Sequence, residues 1–190
     1  MKRFILLLVI ACFAAGTFQA KVPVADNKIR LTDNWEFLRQ DVGNIWELVR
    51  PVKKGQPEEQ PIWTKVTLPH CFNAEDAVDP DLNYYQGPGW YKTRLKLNNP
   101  YSNGRIILEF EGAGQKTDVY IYMTKVGSHI GGYDSWNVDI TDAVQAFLSS
   151  KEAERFGGEV PLSIRCDNTR DAEMIPSDLS DFNLYGGIYR

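Results

Sequence analysis

Carboxylates are the first residues to weigh, because paired acids can move protons or hold a metal. Glu75, Asp76, Asp79 and Asp81 crowd one short stretch, and Asp178 and Asp181 stand in another. Their intervals lack the regular spacing of a calcium-binding loop, and no histidine pair, CxxC or glycine-rich phosphate motif joins them. In stretches this rich in Asp, Asn, Gly and Pro, acids more commonly bond the backbone of their own turn or face water. His70, directly after Pro69, and Asn73 share the first stretch; each has a plain reading as a loop anchor, Asn73 as a turn residue. Trp90, Tyr91 and Trp136 fall in strand-like runs where core packing accounts for them. Tyr84 and Tyr85, in a loop, are the better candidates for an exposed platform that stacks on a ring.

The elements that must position these side chains are strands. Asn27–Arg39 alternates loosely, predicting two short strands about a turn at Thr32-Asp33-Asn34, and Trp63–Leu68 predicts a strand ended by Pro69. Residues 70–89 form a long connection, of the length that usually serves function. Trp90–Leu97 alternates apolar with basic, and Arg105–Glu111 is its expected hairpin partner across a loop ending Asn103-Gly104. After the break at Gly112-Ala113-Gly114, a strand begins near Thr117 and a second follows Tyr122-Met123. Glycine at 131 and 132 lets backbone turn or approach another segment closely. Asp134–Ile140 is a further strand, Thr141-Asp142 opens a helix to Leu148 capped by Thr141 or Asp139, and Val160–Asp167 is the last clear strand before a long loop to Gly186-Gly187. Short strands with one minor helix give an antiparallel β-sandwich; periodicity does not separate a jelly roll from an immunoglobulin-like form.

The first 20 residues place Lys2 and Arg3 before an apolar run from Phe4, the layout of a secretory signal. Export to the periplasm or the exterior is the expectation, with Val9-Ile10-Ala11-Cys12 offering lipid anchorage through Cys12 as the alternative. Residues 21–190, about 170, suffice for one domain with a proper core. Losing Lys2 and Arg3 takes the formal charge from −4 to −6, with no basic patch, so nucleic acid is not the expected partner, nor is a membrane span. Cys71 and Cys166 remain, expected as two free thiols, and neither a metal nor a cofactor is expected.

Several blocks resemble one family in order and spacing. Phe110–Tyr133 reads FEGAGQKTDVYIYMTKVGSHIGGY, followed by Trp136 and Asp139-Ile140-Thr141; Trp63–His70 reads WTKVTLPH; Tyr85–Tyr91 reads YQGPGWY; Asp181–Arg190 reads DFNLYGGIYR. These are similar to the amino-terminal sugar-binding domain of glycoside hydrolase family 2, the β-galactosidase, β-glucuronidase and β-mannosidase group. The resemblance implies a jelly-roll β-sandwich. It also implies that the two glutamates of a retaining mechanism belong to a later (β/α)8 barrel, so no catalytic residue is expected in this chain. Its reading is the accessory domain of an exported, exo-acting glycosidase, β-galactosidase-like, whose partners are a β-linked glycoside and the enzyme's downstream domains.

By the same resemblance, Asp181 reaches the barrel's site and accepts hydrogen bonds from hydroxyls of the terminal sugar, a task suited to a charged acceptor. Asn73 and His70 are secondary candidates for the neighbourhood of that sugar. The family's Asn-Gly after the VYI-like strand is replaced here by Tyr122-Met123, which implies a rebuilt, longer turn through Thr124. The rival reading is a free-standing carbohydrate-binding module. An accessory domain is expected to expose an apolar patch around Ile188 and Tyr189, and a module is not.

Overall fold

Alternating burial along the strands sets the architecture. The computed structural model describes residues 28–51, 63–76, 78, 79, 81–97, 103–177, 179–181 and 183–189. The expected export signal, the charged loop Lys53–Glu59, the loop 98–102, Asp178 and Arg190 lie outside them. Residues 31–190 form one compact unit.

In chain order the elements are β1 (Trp35–Leu38), α1 (Trp46–Val49), β2 (Thr64–Val66), β3 (His70–Cys71), β4 (Pro88–Leu95), β5 (Ile107–Phe110), β6 (Ala113–Gly114) and β7 (Lys116–Ile121). There follow β8 (Thr124–Ile130), β9 (Trp136–Asp139), α2 (Thr141–Leu148), α3 (Glu152–Arg155), β10 (Val160–Asp167) and β11 (Gly187–Ile188). A six-stranded sheet runs β2-β1-β4-β10-β7-β8, beside a three-stranded sheet β3-β11-β6 and a pair β5-β9, and every pairing is antiparallel.

Register aligns one apolar row across the large sheet: Phe37 opposes Tyr91, Tyr91 opposes Ile164, and Ile164 opposes Val119. All four are buried, and they pack with Phe110, Val138, Val144, Phe147 and Ile188 from the smaller sheets and α2, and with Phe72 from the loop after β3, into one core. This is the expected all-β antiparallel sandwich.

Several local expectations need correction. Among the described residues no strand precedes the turn at residues 32–34: Ile29 is exposed, and the Leu31 carbonyl accepts the Trp35 indole N–H (3.0 Å) instead of joining a ladder. β4 and β5 do not form a hairpin. Both edges of β4 are taken, by β1 and by an eight-residue ladder with β10, so the chain passes Asn103-Gly104 into another sheet where β5 pairs β9. Two short helices beyond the one expected, α1 and α3, also appear.

The turn between β7 and β8 is not lengthened. It keeps two residues, Tyr122 and Met123, with positive φ only at Tyr122 (51°). A left-handed tyrosine costs roughly 1–2 kcal/mol. Against that, its ring packs on Phe147 (5.3 Å between centroids) and Phe156 (5.9 Å), and its N–H donates to the Pro161 carbonyl (2.9 Å). Aromatic pairs contribute about 0.5–1.5 kcal/mol each, enough to hold the strained residue in place.

α2 runs over the expected residues, buries Val144 and Phe147, and begins on a polar network. The Thr141 N–H donates to Asp139 Oδ1 (2.9 Å), and the Thr141 hydroxyl accepts the Ile106 N–H (2.8 Å). Bonds from the Thr141 hydroxyl and N–H, aided by Arg105, hold the Asp139 carboxyl down at about 2. A carboxyl depressed in the folded state contributes stability above the ordinary carboxylate range and loses it as pH falls through the folded value. Asp139→Asn is therefore expected to lower the melting temperature by a few degrees near neutral pH, and the difference should close between about pH 4 and pH 2. Melting curves of both proteins across that range test it; a difference that persists at about pH 2 would count against the network.

Candidate functional site

The two long loops, 72–87 and 168–186, meet at one end of the sandwich, and two buried asparagines tie them together. Asn73, fully buried, donates from Nδ2 to the Leu184 carbonyl (3.0 Å), and its Oδ1 accepts the Gly186 N–H (3.0 Å) and the Cys71 thiol (3.3 Å). Asn168, equally buried, donates to the carbonyls of Leu184 (2.8 Å) and Tyr85 (2.9 Å) and accepts the Gly87 N–H (2.8 Å). The Tyr84 hydroxyl adds a third donor to the Leu184 carbonyl (2.5 Å). Buried polar groups satisfied this fully make a rigid junction.

The carboxylates separate by role. Asp76 is buried and bonded by Arg39 Nη1 at both oxygens (2.9 and 3.0 Å) and by the Tyr85 N–H (3.1 Å). Asp79 accepts the Asp81 N–H (3.0 Å), a local turn bond, and Glu75 is exposed. Asp181 is exposed, and its carboxylate has no partner among the described residues. Of the three sequence candidates, Asp181 alone offers a ready acceptor to a ligand. Asn73 has no exposed surface, so in this chain its part in the site is to hold the loops.

His70 on β3 is also turned inward. Its Nδ1 lies 2.8 Å from the Tyr91 hydroxyl, its ring packs on Phe37 (4.9 Å), and burial lowers its pKa, favouring the neutral imidazole. Trp90 and Tyr91 are buried, and Trp136 stacks between Phe110 (4.3 Å) and His129 (4.8 Å), the packing roles expected of them.

Tyr84 and Tyr85 are not an exposed platform. The Tyr84 hydroxyl is pushed up to about 12 by burial, while Tyr85 packs edge-on against Phe72, lies under Arg39 and donates to the Pro88 carbonyl (2.7 Å). Loop tyrosines here are drawn in because each hydroxyl finds a backbone carbonyl to bond.

The accessible aromatic surface is made by other residues. Cys71, Ala74, Tyr133, Tyr185 and Tyr189 line a groove of about 400 Å3. Tyr133 and Tyr185 are exposed, at 58% and 41%, and their hydroxyls have no partner among the described residues. Tyr189 is held by its hydroxyl bond to the Gly132 carbonyl (2.6 Å). The glycines serve close approach, as expected: a Cβ on Gly132 would meet the Tyr189 hydroxyl at 2.5 Å, and one on Gly114 would meet the Gly132 Cα at 2.7 Å. Ile188, expected in an exposed patch, is instead buried in β11 between β3 and β6.

Neither thiol is primed as a nucleophile. Burial raises the pKa of Cys71 and pushes Cys166 up to about 12, and both are unpaired. Among the described residues no charged side chain lines the groove. Among the described residues no cluster of three His, Cys, Asp or Glu could hold a metal, and no helix is long and apolar enough to cross a membrane. The arrangement can stack on a ring, exchange hydrogen bonds with hydroxyls, and offer one carboxylate nearby in the chain.

A β-sandwich that carries an aromatic groove and an exposed loop carboxylate has the layout of a recognition domain, with the strands as scaffold. Residues 21–190 match the family described as glycosyl hydrolases family 2, sugar binding domain, and the chain belongs to that family. It is similar to the β-glucuronidase of Parabacteroides merdae, at 75% identity and a TM-score of 0.83 over 87% of this chain and 21% of that one. A putative β-glucuronidase of Formosa agariphila is 30% identical over 99% of this chain and 20% of its own length. A β-galactosidase of Thermoanaerobacter pseudethanolicus is 24% identical over 83% of this chain and 19% of its own length. The chain thus spans about a fifth of the length of these relatives.

Proposed function

We propose that this chain is the accessory sugar-binding domain of an exported, exo-acting, retaining β-glucuronidase. In that enzyme Asp181 meets the hydroxyls of the terminal sugar, and the tyrosine groove forms part of the adjoining surface. The observation that carries the reading is the 75% identity to the Parabacteroides merdae β-glucuronidase across most of the chain. It outweighs the β-galactosidase preference inferred from the resemblance, because the matches named as β-galactosidases are only 24–27% identical. Bond cleavage is assigned to glutamates in a later barrel, and export to the signal-like residues 1–20. The mass of the mature amino terminus tests the export claim.

Two assays on the full-length gene product test the rest. Hydrolysis of an aryl β-glucuronide is expected to exceed that of the matching β-galactoside by at least about a hundredfold, and a preference for the galactoside overturns the substrate reading. Asp181→Ala is expected to lower kcat/KM about 30-fold with the thermal transition unmoved. That corresponds to roughly 2 kcal/mol, the range of a hydrogen bond to a charged acceptor. Activity within about twofold of wild type would remove Asp181 from the site.

A further inference from the structure

We propose that Asn168 and Arg170 are positioning residues that grip the chain on both sides of Asp181, an inference that rests on the reading of Asp181 as the carboxylate that meets the sugar. Asn168 directly follows β10, a central strand of the large sheet, and Arg170 lies three residues past its end. Arg170 Nη1 donates to the Ser180 carbonyl (2.6 Å), immediately before Asp181. Asn168 Nδ2 donates to the Leu184 carbonyl (2.8 Å), three residues after it. Two side chains just past the end of one strand therefore fix the carbonyls that bracket the carboxylate. The Leu184 anchor is shared with Asn73 and Tyr84, while Ser180 is further held by its own N–H and hydroxyl, both donating to the Ser177 carbonyl (3.1 and 2.7 Å).

The need for such a grip follows from what surrounds Asp181. Its carboxylate has no partner among the described residues, and of those only the backbone it hangs from orients it. The same loop buries Met174 and Leu184, but between them Ile175 and Leu179 are 90% and 89% exposed and give the stretch around Asp181 no core anchor. A hydrogen bond to a sugar hydroxyl is directional, and an error of about 1 Å in its acceptor can cost up to a hundredfold in rate. Holding the loop at 180 and 184 restricts that error without touching the ligand. Asn168 is fully buried and Arg170 partly buried, so neither needs to contact the sugar to act.

A kinetic double-mutant cycle in the full-length enzyme distinguishes positioning from general support. Asn168→Ala and Arg170→Ala are each expected to lower kcat/KM on an aryl β-glucuronide about tenfold, with Arg170→Lys restoring most of the loss. In an Asp181→Ala background the same substitutions should change kcat/KM by less than about twofold, because the group they orient is gone. Losses of equal size in both backgrounds, or no loss in either, overturn the positioning role while leaving Asp181 in place. An Asp181→Ala enzyme as active as wild type overturns the reading of Asp181, and the positioning role with it. Should Asn168→Ala fail to fold, the cycle on the less buried Arg170 decides alone.

Discussion

Gly187→Ala is expected to lower the melting temperature by about 10 °C or more. Two penalties coincide at this residue. Its φ of +130° lies where a side chain is strained by about 1–3 kcal/mol. A Cβ there would also press far inside contact distance of the His70 backbone carbonyl and within 2.8 Å of the buried Tyr91 hydroxyl. The carbonyl belongs to β3, which pairs with β11 through this very residue, so relief requires the three-stranded sheet to part. Together these amount to about 4 kcal/mol, and in a domain of this size each kcal/mol moves the transition by roughly 2–4 °C. Gly157→Ala is the control. Its φ is +64° with nothing within 4 Å of a new Cβ, so it should lose only about 1 kcal/mol from backbone strain. Thermal melts that show the same loss for both would refute the close approach of β3 and β11.

Asp76→Ala should cost about 3 kcal/mol, the low end for breaking a buried ion pair, because Arg39 remains 45% exposed and regains some water. The carboxylate takes Arg39 through a single nitrogen and receives the Tyr85 N–H, so its loss leaves both donors short of an acceptor. Arg39 also donates to the Phe72 carbonyl (3.2 Å) and lies over the Tyr85 ring at 5.2 Å, which spreads the damage along the 72–87 loop. Asp76→Asn retains shape and one acceptor and should lose about half as much. Denaturant unfolding of Asp76→Ala, Arg39→Ala and the double variant checks this: the double should cost less than the two singles together. A loss below about 1 kcal/mol for Asp76→Ala would show that the pair behaves as a surface one.

What was legible in the sequence followed the physics of short range. The alternation in Trp90–Leu97 and Val160–Asp167 marks two strands of the large sheet, and the apolar periodicity after Thr141 marks α2, because burial of one face writes a period into the chain. Periodicity assigns faces and not neighbours, so it paired β5 with β4 when β5 lies beside β9. Two-residue strands such as β3, β6 and β11 are too short to carry any period. At the loop end the difficulty is of another kind. An asparagine that caps its own turn and one that clamps two distant loops have the same neighbours in sequence, so neither the clamp at Asn73 nor any role for Asn168 could be read there. Tyr133 and Tyr185 were passed over for Tyr84 and Tyr85 for the same reason: which loop tyrosine finds a carbonyl is decided by the fold. The family blocks singled out Asp181 as a candidate; the residues that bracket it are visible only in the structure.

The pairing of β11 with β3 and β6 has a consequence for how the domain is made. Asn73 must wait for Gly186, 113 residues later, before its Oδ1 meets the backbone it was placed to hold. During synthesis the large sheet can assemble once β10 has left the ribosome, since all six of its strands are then available. The loop end cannot. Until residues 184–188 emerge, the buried amides of Asn73 and Asn168 lack the Leu184 carbonyl, and β3 and β6 lack the strand between them. The nascent chain is thus expected to carry a closed scaffold with an open recognition end, which a few late residues then lock.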